Sequence, residues 1–421
     1  MKNSRLLTIF LIVFIDLLGF SLILPLLPYY AETYGATPFI VGLLVASYAA
    51  AQLIGAPLLG RLSDRIGRRL VLLISVAGTF AGFLLLGFAD PLGRYLAGLI
   101  DPKAANAIII GVLFFSRILD GLTGGNITVA QAYITDVTDE QNRAKGLGLI
   151  GAAFGLGFII GPAVGGALSK YGYSLPAFVA ASASFINLIM IFVFLPESLP
   201  VERRSAEALQ QRPPFTLKAL QQALRRPKVG PLLQMRFFFS LAFATFQTIF
   251  ALYAQEIGLN SQTTGLLLAY VGVLTVIVQG GLIGPLTRRF RDNWLIINGL
   301  WVMTGALLAW AFTSRLWSLA VVILPLAVAG GVLNTVIQSS ITKSVLRQEV
   351  GGILGVATSL ESLTRVIAPI AGGYLLQGLG LWAPGVFSAI LMAWALVLAY
   401  WRIVLPSHRE LIEVDSGMSE G

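Results

Sequence analysis

Cysteine is absent from this chain, and histidine occurs once, as His408 near the C-terminus. Without a thiol there is no disulfide, no thiolate metal site and no cysteine nucleophile. A single tail imidazole likewise excludes a histidine-based triad or zinc centre. No metal, no cofactor and no enzyme activity are expected. Charge is scarce too: Asp, Glu, Lys and Arg make up 12% of the sequence, against about 25% in a soluble domain. What is abundant is apolar. Hydrophobic residues reach 56%, and 45 glycines suit closely packed membrane helices. The formal charge of +9 raises the question of a nucleic-acid partner. Its distribution answers against one.

Twelve apolar runs cover residues 6–30, 39–59, 70–89, 105–133, 146–169, 174–195, 230–254, 263–285, 294–313, 317–341, 352–377 and 381–401. Each is about 20 residues or longer, enough for an α-helix to cross a bilayer. The sequence therefore predicts an all-α integral membrane protein with twelve transmembrane helices. With the N-terminus inside, the lysines and arginines concentrate in the cytoplasmic connections. Only Arg94, Lys103, Lys170 and Arg315 fall in external loops. That asymmetry puts both termini in the cytoplasm of a cell with this protein in its inner or plasma membrane. It also implies contact with lipid headgroups rather than nucleic acid. Lys2 and Arg5 before the first run imitate a signal peptide. The run is too long, contains Asp16 and lacks a cleavage site, so it reads as the first span.

The chain repeats itself. Gly60-x-Leu62 returns as Gly284-x-Leu286, Tyr29 and Glu32 as Tyr253 and Glu256, and Pro162, Gly165 and Gly166 as Pro369, Gly372 and Gly373. The expected architecture is two pseudo-symmetric six-helix bundles, residues 1–195 and 230–405. A central loop, 196–229, joins them and a cytoplasmic tail, 406–421, follows. Such repeats imply a pseudo-twofold transporter with its site at the interface. Within the loop, Thr216–Arg226 has apolar residues at helical spacing and reads as a short helix on the inner membrane surface. The alternative is a disordered linker. Asp90–Ala104 reads as a long external loop.

Four motifs carry a family resemblance. The short charged turn Gly60-Arg61-Leu62-Ser63-Asp64-Arg65-Ile66-Gly67-Arg68-Arg69 resembles the loop between helices 2 and 3 of the major facilitator superfamily. In the fifth run, Gly148, Gly157, Gly161, Pro162, Gly165 and Gly166 match its antiporter motif, which accompanies exporters. Asp16-Leu17-Leu18-Gly19-Phe20-Ser21, with Pro25 and Pro28, resembles the helix 1 signature of the twelve-helix drug:proton antiporters. Arg117-Ile118-Leu119-Asp120-Gly121 and Ala132-Tyr133-Ile134-Thr135-Asp136 resemble the helix 4 motif, with an ending like that of the tetracycline exporters. Position 120 is commonly Gln in the family, and here it is an added ionisable group. The second-half counterpart of the charged turn departs, with Arg288 where Asp64 stands.

Ionisable residues inside apolar runs are costly and usually functional. Arg117 and Asp120 share one helix face, and the resemblance implies a role for that arginine in proton coupling. Asp16 lies deep in the first run. Glu361 and Arg365 are four apart in the eleventh, either as a self-neutralised strut or as a proton site. Arg236 is one to two turns inside the seventh run and is positioned to snorkel to the surface. Glu32 and Glu256, at external ends, are expected to be solvated. The glycines of the antiporter motif read as a packing seam that lets the halves rock. In the family's fold the charged turn packs near the start of helix 11, here Gly351. Asp64 would cap that helix and Asp136 would partner Arg65 or Arg69, forming a latch with Gly60, Gly67 and Arg68.

The runs expected to line a cavity offer the amides Asn126, Gln131, Gln247, Asn334 and Gln338. The aromatic rings of Tyr30, Phe246 and Phe250 lie nearby. An apolar cavity with a few amides suits amphipathic small molecules. The reading is a monomeric, proton-coupled secondary transporter that exports lipophilic or amphipathic compounds by alternating access. The alternatives are an uncoupled metabolite or lipid facilitator, or a membrane scaffold or sensor without transport.

Overall fold

The computed structural model describes residues 2–199, 217–346 and 349–404. The tail 406–421, with His408, and residues 200–216 of the central loop lie outside the described residues. In chain order the helices are α1 (Lys2–Ile23), α2 (Leu27–Glu32), α3 (Pro38–Ile66), α4 (Arg68–Gly87), α5 (Ala89–Ile100), α6 (Ala105–Thr123), α7 (Asn126–Val137), α8 (Glu140–Leu168) and α9 (Ser174–Phe194). They continue as α10 (Leu217–Arg225), α11 (Val229–Glu256), α12 (Ser261–Ile277), α13 (Ile283–Arg289), α14 (Asp292–Ala311), α15 (Leu316–Lys343), α16 (Val350–Leu379) and α17 (Trp382–Ala399). Among the described residues, 12 helical stretches are long and apolar enough to cross a membrane, and they coincide with the twelve apolar runs.

The departures from the sequence reading have local causes. The first run divides into α1 and α2, because Pro25 lacks an amide proton and Pro28 starts a new helix, as proline favours. The fourth run breaks at Gly124–Gly125 into α6 and α7. The carbonyls freed there are satisfied from neighbours, as apolar surroundings demand. Gln52 Nε2 donates to Gly124 O at 3.1 Å, and Ser75 Oγ donates to Thr123 O. The eighth run passes through a π-helical turn at Val278–Leu282, at the pair Gly280–Gly281. The expected external loop 90–104 is instead mostly helical, as α5 packed on α6. The short helix of the central loop is present as α10, tied to α16 by Arg226–Glu349 at 2.9 Å.

The described residues form two compact units. One takes 2–199 and 248–273, the other 217–247, 274–346 and 349–404. In the first unit α8 packs along α1, and glycine explains the closeness. A Cβ on Gly161 would collide with Ser21 Oγ, and one on Gly165 with Leu22 O, while one on Gly157 would lie 3.2 Å from Leu17 Cβ. Ser21 Oγ donates to Gly157 O at 2.7 Å across the seam. The same stretch of α8 meets α12: a Cβ on Gly265 would collide with Pro162 O, and one on Gly166 would sit 3.0 Å from Ser261 O. Gly148, by contrast, faces open space. Gly161→Ala or Gly165→Ala is expected to cost about 1–3 kcal/mol of overpacking and to lower the melting temperature of the purified protein. Gly148→Ala should leave it unchanged. Equal shifts at all three positions would refute the seam.

Candidate functional site

Among the described residues, six acidic or basic side chains lie inside the spans, away from their ends: Asp16, Arg117 and Asp120 in the first unit, and Arg236, Glu361 and Arg365 in the second. In the first unit, the i, i+3 spacing on α6 brings Arg117 Nη1 to 3.1 Å from Asp120 Oδ2, both side chains buried. The guanidinium carbon sits over the Phe83 ring at 5.3 Å, a favourable place for a cation. Asp120 can approach α4 because Gly82 faces it: a Cβ there would lie 3.0 Å from Asp120 Cβ. The break between α6 and α7 turns Asn126 so that its Nδ2 donates to Asp16 Oδ1 at 2.5 Å. Arg117 Nη2 and Asn126 Oδ1 are buried without a hydrogen-bond partner. Through Asn126, Asp16 meets the break that follows Asp120 by a few residues. Two carboxylates and one guanidinium leave this interior cluster one negative charge in excess.

The charged turn is built differently from the sequence expectation. Gly67 sits at φ 108°, a conformation that costs a side chain but not glycine. It ends α3 and starts α4 at once, which aims Arg68 back into the turn. Arg68, not Arg65 or Arg69, is the partner of Asp136, at 3.1 Å from its Nε. Its Nη1 holds Asp64 at 2.6 Å and donates to Ser63 Oγ at 2.7 Å. Asp64 is thus paired within its own turn. Arg61 and Arg65 are exposed, and Gly60 faces Thr128. The amides opening α4 are capped by Glu197, which accepts from Arg68 N at 2.9 Å and Arg69 N at 3.2 Å. Ser198 Oγ closes the ring on Asp136 at 3.0 Å. Nothing near residue 68 in the sequence announces Glu197. The one available signal is its position beside Pro196 at the end of the sixth apolar run.

In the second unit Arg236 is buried rather than snorkelling. Its Nη1 donates to Asn334 Oδ1 at 2.6 Å and Asn334 O at 3.1 Å, and its Nη2 pairs with Glu361 Oε2 at 2.9 Å. Arg365 Nη2 takes the other carboxylate oxygen at 3.0 Å. Glu361 therefore has two arginine partners where sequence spacing offered one. Of the remaining residues expected to line a cavity, Gln131 and Gln247 are exposed and Gln338 is half-buried. Phe246 and Phe250 are fully buried, Phe246 edge-on to Trp310 at 5.1 Å. Tyr30 is buried, its hydroxyl 3.3 Å from Leu86 O. Gly351 is exposed at the start of α16.

At the far end of the first unit Tyr29 OH lies 2.7 Å from Thr264 Oγ1 and donates to Leu259 O at 3.1 Å. Glu32, three residues on, is half-buried rather than solvated, whereas Glu256 is exposed. Burial, and secondarily the charge of Glu256, push the Glu32 carboxyl from 4.5 up to about 7. A carboxyl raised on folding stabilises the fold below its unfolded pKa and loses that contribution as pH rises through the folded value. Melting temperature should therefore fall between pH 4.5 and 7 by an increment that Glu32→Gln removes. An unchanged slope in that variant would count against the assignment.

Comparison with known proteins identifies the family. The family model described as Major Facilitator Superfamily matches residues 9–295 and 235–416. The class H tetracycline resistance protein of Pasteurella multocida is 31% identical over 415 residues, spanning 95% of this chain and 96% of that protein. Solute carrier family 67 member A1 of Homo sapiens is 28% identical over 396 residues, 92% of this chain and 89% of that protein. Among solved structures, the human organic anion transporter MFSD10 (TETRAN) superposes with a TM-score of 0.65 at 22% identity, covering 94% of this chain and 99% of that one. With twelve spans and a family match along nearly its whole length, the chain is a multi-pass membrane transporter, not an enzyme, and belongs to the Major Facilitator Superfamily.

Proposed function

We propose that this chain exports lipophilic or amphipathic small molecules, tetracycline-like compounds among them, in exchange for protons. The observation that carries the coupling is the buried Arg117–Asp120 pair, with Asp16 held by Asn126 at the break that follows Asp120. Two carboxylates and one guanidinium lie in an apolar interior, so one proton balances their charge and its loss leaves one charge unmatched. A cavity open to the outer face loads that proton, and opening to the cytoplasm releases it. The ring of Arg68, Asp64, Asp136 and Glu197 holds the inner ends of α3, α4 and α7 as one body during the change. Both termini face the cytoplasm, the protein works as a monomer in the inner or plasma membrane, and its basic loops contact lipid headgroups.

The test is flux of tetracycline in proteoliposomes under an imposed pH gradient. The expected result is accumulation against the tetracycline gradient, abolished by a protonophore. Downhill flux indifferent to pH would favour an uncoupled facilitator, and no flux of any compound would favour a scaffold. Either outcome would sink the proposal.

A further inference from the structure

The interior of the second unit carries a charge that no other described residue of that unit offsets. Between residues 217 and 404 the acidic side chains are Glu256, Asp292, Glu349 and Glu361. Glu256 belongs to the first unit. Asp292 pairs with Lys343 at 2.7 Å, and Glu349 with Arg226 at 2.9 Å, all at or beyond helix ends. Glu361 alone remains for two interior arginines, and each of its oxygens is already used, Oε2 by Arg236 and Oε1 by Arg365. The cluster holds one positive charge in excess, the reverse of the cluster in the first unit.

The excess is not spread evenly. Arg236 is 7% exposed, and Asn334 and Glu361 hold its terminal nitrogens while its Nε is buried with no partner. It is a fixed post. Arg365 is different: one N–H goes to Glu361 and its side chain is 54% exposed. It stands fifteen residues from the start of α16 at Val350, about 22 Å along the helix at 1.5 Å per residue, hence near mid-membrane. An unmatched guanidinium at that depth is retained where it faces a wet cavity or meets an anion. Its planar fork matches a carboxylate or other oxyanion bidentately. Asn334, whose oxygen accepts from Arg236, keeps its amide N–H groups as further donors.

We infer that Arg365, braced through Glu361 on Arg236 and Asn334, binds the acidic group of the transported molecule, so that the preferred substrates are amphipathic organic anions or zwitterions. That the molecule is transported rests on the export reading above; the site itself rests on the excess charge and on the exposure and depth of Arg365.

The experiment measures equilibrium binding by the full-length protein in detergent micelles. Three probes share one ring system: pyrene-1-butyrate, its primary amide, and pyrene-1-butylammonium. Energy transfer from tryptophan reports binding. The wild-type chain should bind the carboxylate about tenfold or more tightly than the other two, the usual scale for a charge-assisted bond. Arg365→Gln should erase that preference while leaving amide binding intact, and Arg365→Lys should restore part of it. A wild type without carboxylate preference, a preference that survives Arg365→Gln, or an equal loss for all three probes would each overturn the inference. Uphill tetracycline export by a chain with no carboxylate preference removes the anion site and leaves the export reading. Carboxylate preference without any uphill flux does the opposite.

Discussion

Arg117→Gln is expected to be the most damaging single change in the first unit. It strands Asp120 as a buried carboxylate with no counter-ion, a loss of about 3–5 kcal/mol for breaking one side of a buried pair. Yield and melting temperature should both fall sharply. Asp120→Asn strands Arg117 instead, but the cation keeps the face of Phe83, 5.3 Å away, so this variant should be the better folded of the two. The double variant Arg117→Gln with Asp120→Asn should recover most of the stability. Neither Asp120→Asn nor the double variant should export against a gradient, because the carboxyl proposed to exchange the proton is gone. Asp120→Asn should still bind substrate. Melting curves and proton-driven flux on all three variants separate the roles. A double variant that is both stable and fully coupled would assign the pair to packing alone and leave Asp16 as the coupling carboxylate.

Arg68→Ala should be nearly as severe, for a different reason. Its side chain is buried and joins Asp64, Asp136 and Ser63. Removing it takes away the cation that Asp64 and Asp136 share, so the two carboxylates lose the charge that balances their repulsion. Transport should fall to background and expression should drop. Arg65→Ala and Arg288→Ala should be mild, since both side chains are exposed and exposed charges contribute about 0–1 kcal/mol. Asp64→Asn should fall between these extremes, because Arg68 keeps Asp136. If Arg65→Ala proved as damaging as Arg68→Ala, the turn would matter through its total charge and not through this ring.

The two arginine results bear on what a sequence can say about such a site. The pair Arg117–Asp120 was legible because helix geometry alone places residues three apart on one face. Glu361–Arg365 was legible for the same reason. Arg236 was not. Its distance from the helix end allowed snorkelling, and only its meeting with Asn334 and Glu361, 98 and 125 residues away in sequence, makes it an interior charge. Arg68 was distinguishable from Arg65 and Arg69 only once the φ of Gly67 set the phase between α3 and α4. Glu197 reaches the start of α4 from 129 residues away, and no local pattern encodes that.

By itself the sequence determined the class, the number of spans and the family. Those depend on quantities counted along the chain: the length of apolar runs, the bias of Lys and Arg between alternate loops, and motifs within a single turn or helix. It also placed Asp16, Arg117, Asp120, Glu361 and Arg365 where charge is costly. Tertiary structure decided which of those charges meet, where the long fourth run breaks, and which glycines are pressed against a neighbour. These are contacts between segments far apart in sequence, set by helix rotation and by close packing around glycine. A shift of one residue in helix phase turns a side chain by about 100°, enough to move it from a neighbour to the lipid. The apolar runs are too uniform to fix that phase, so the partners of the buried charges became visible only when the helices were packed.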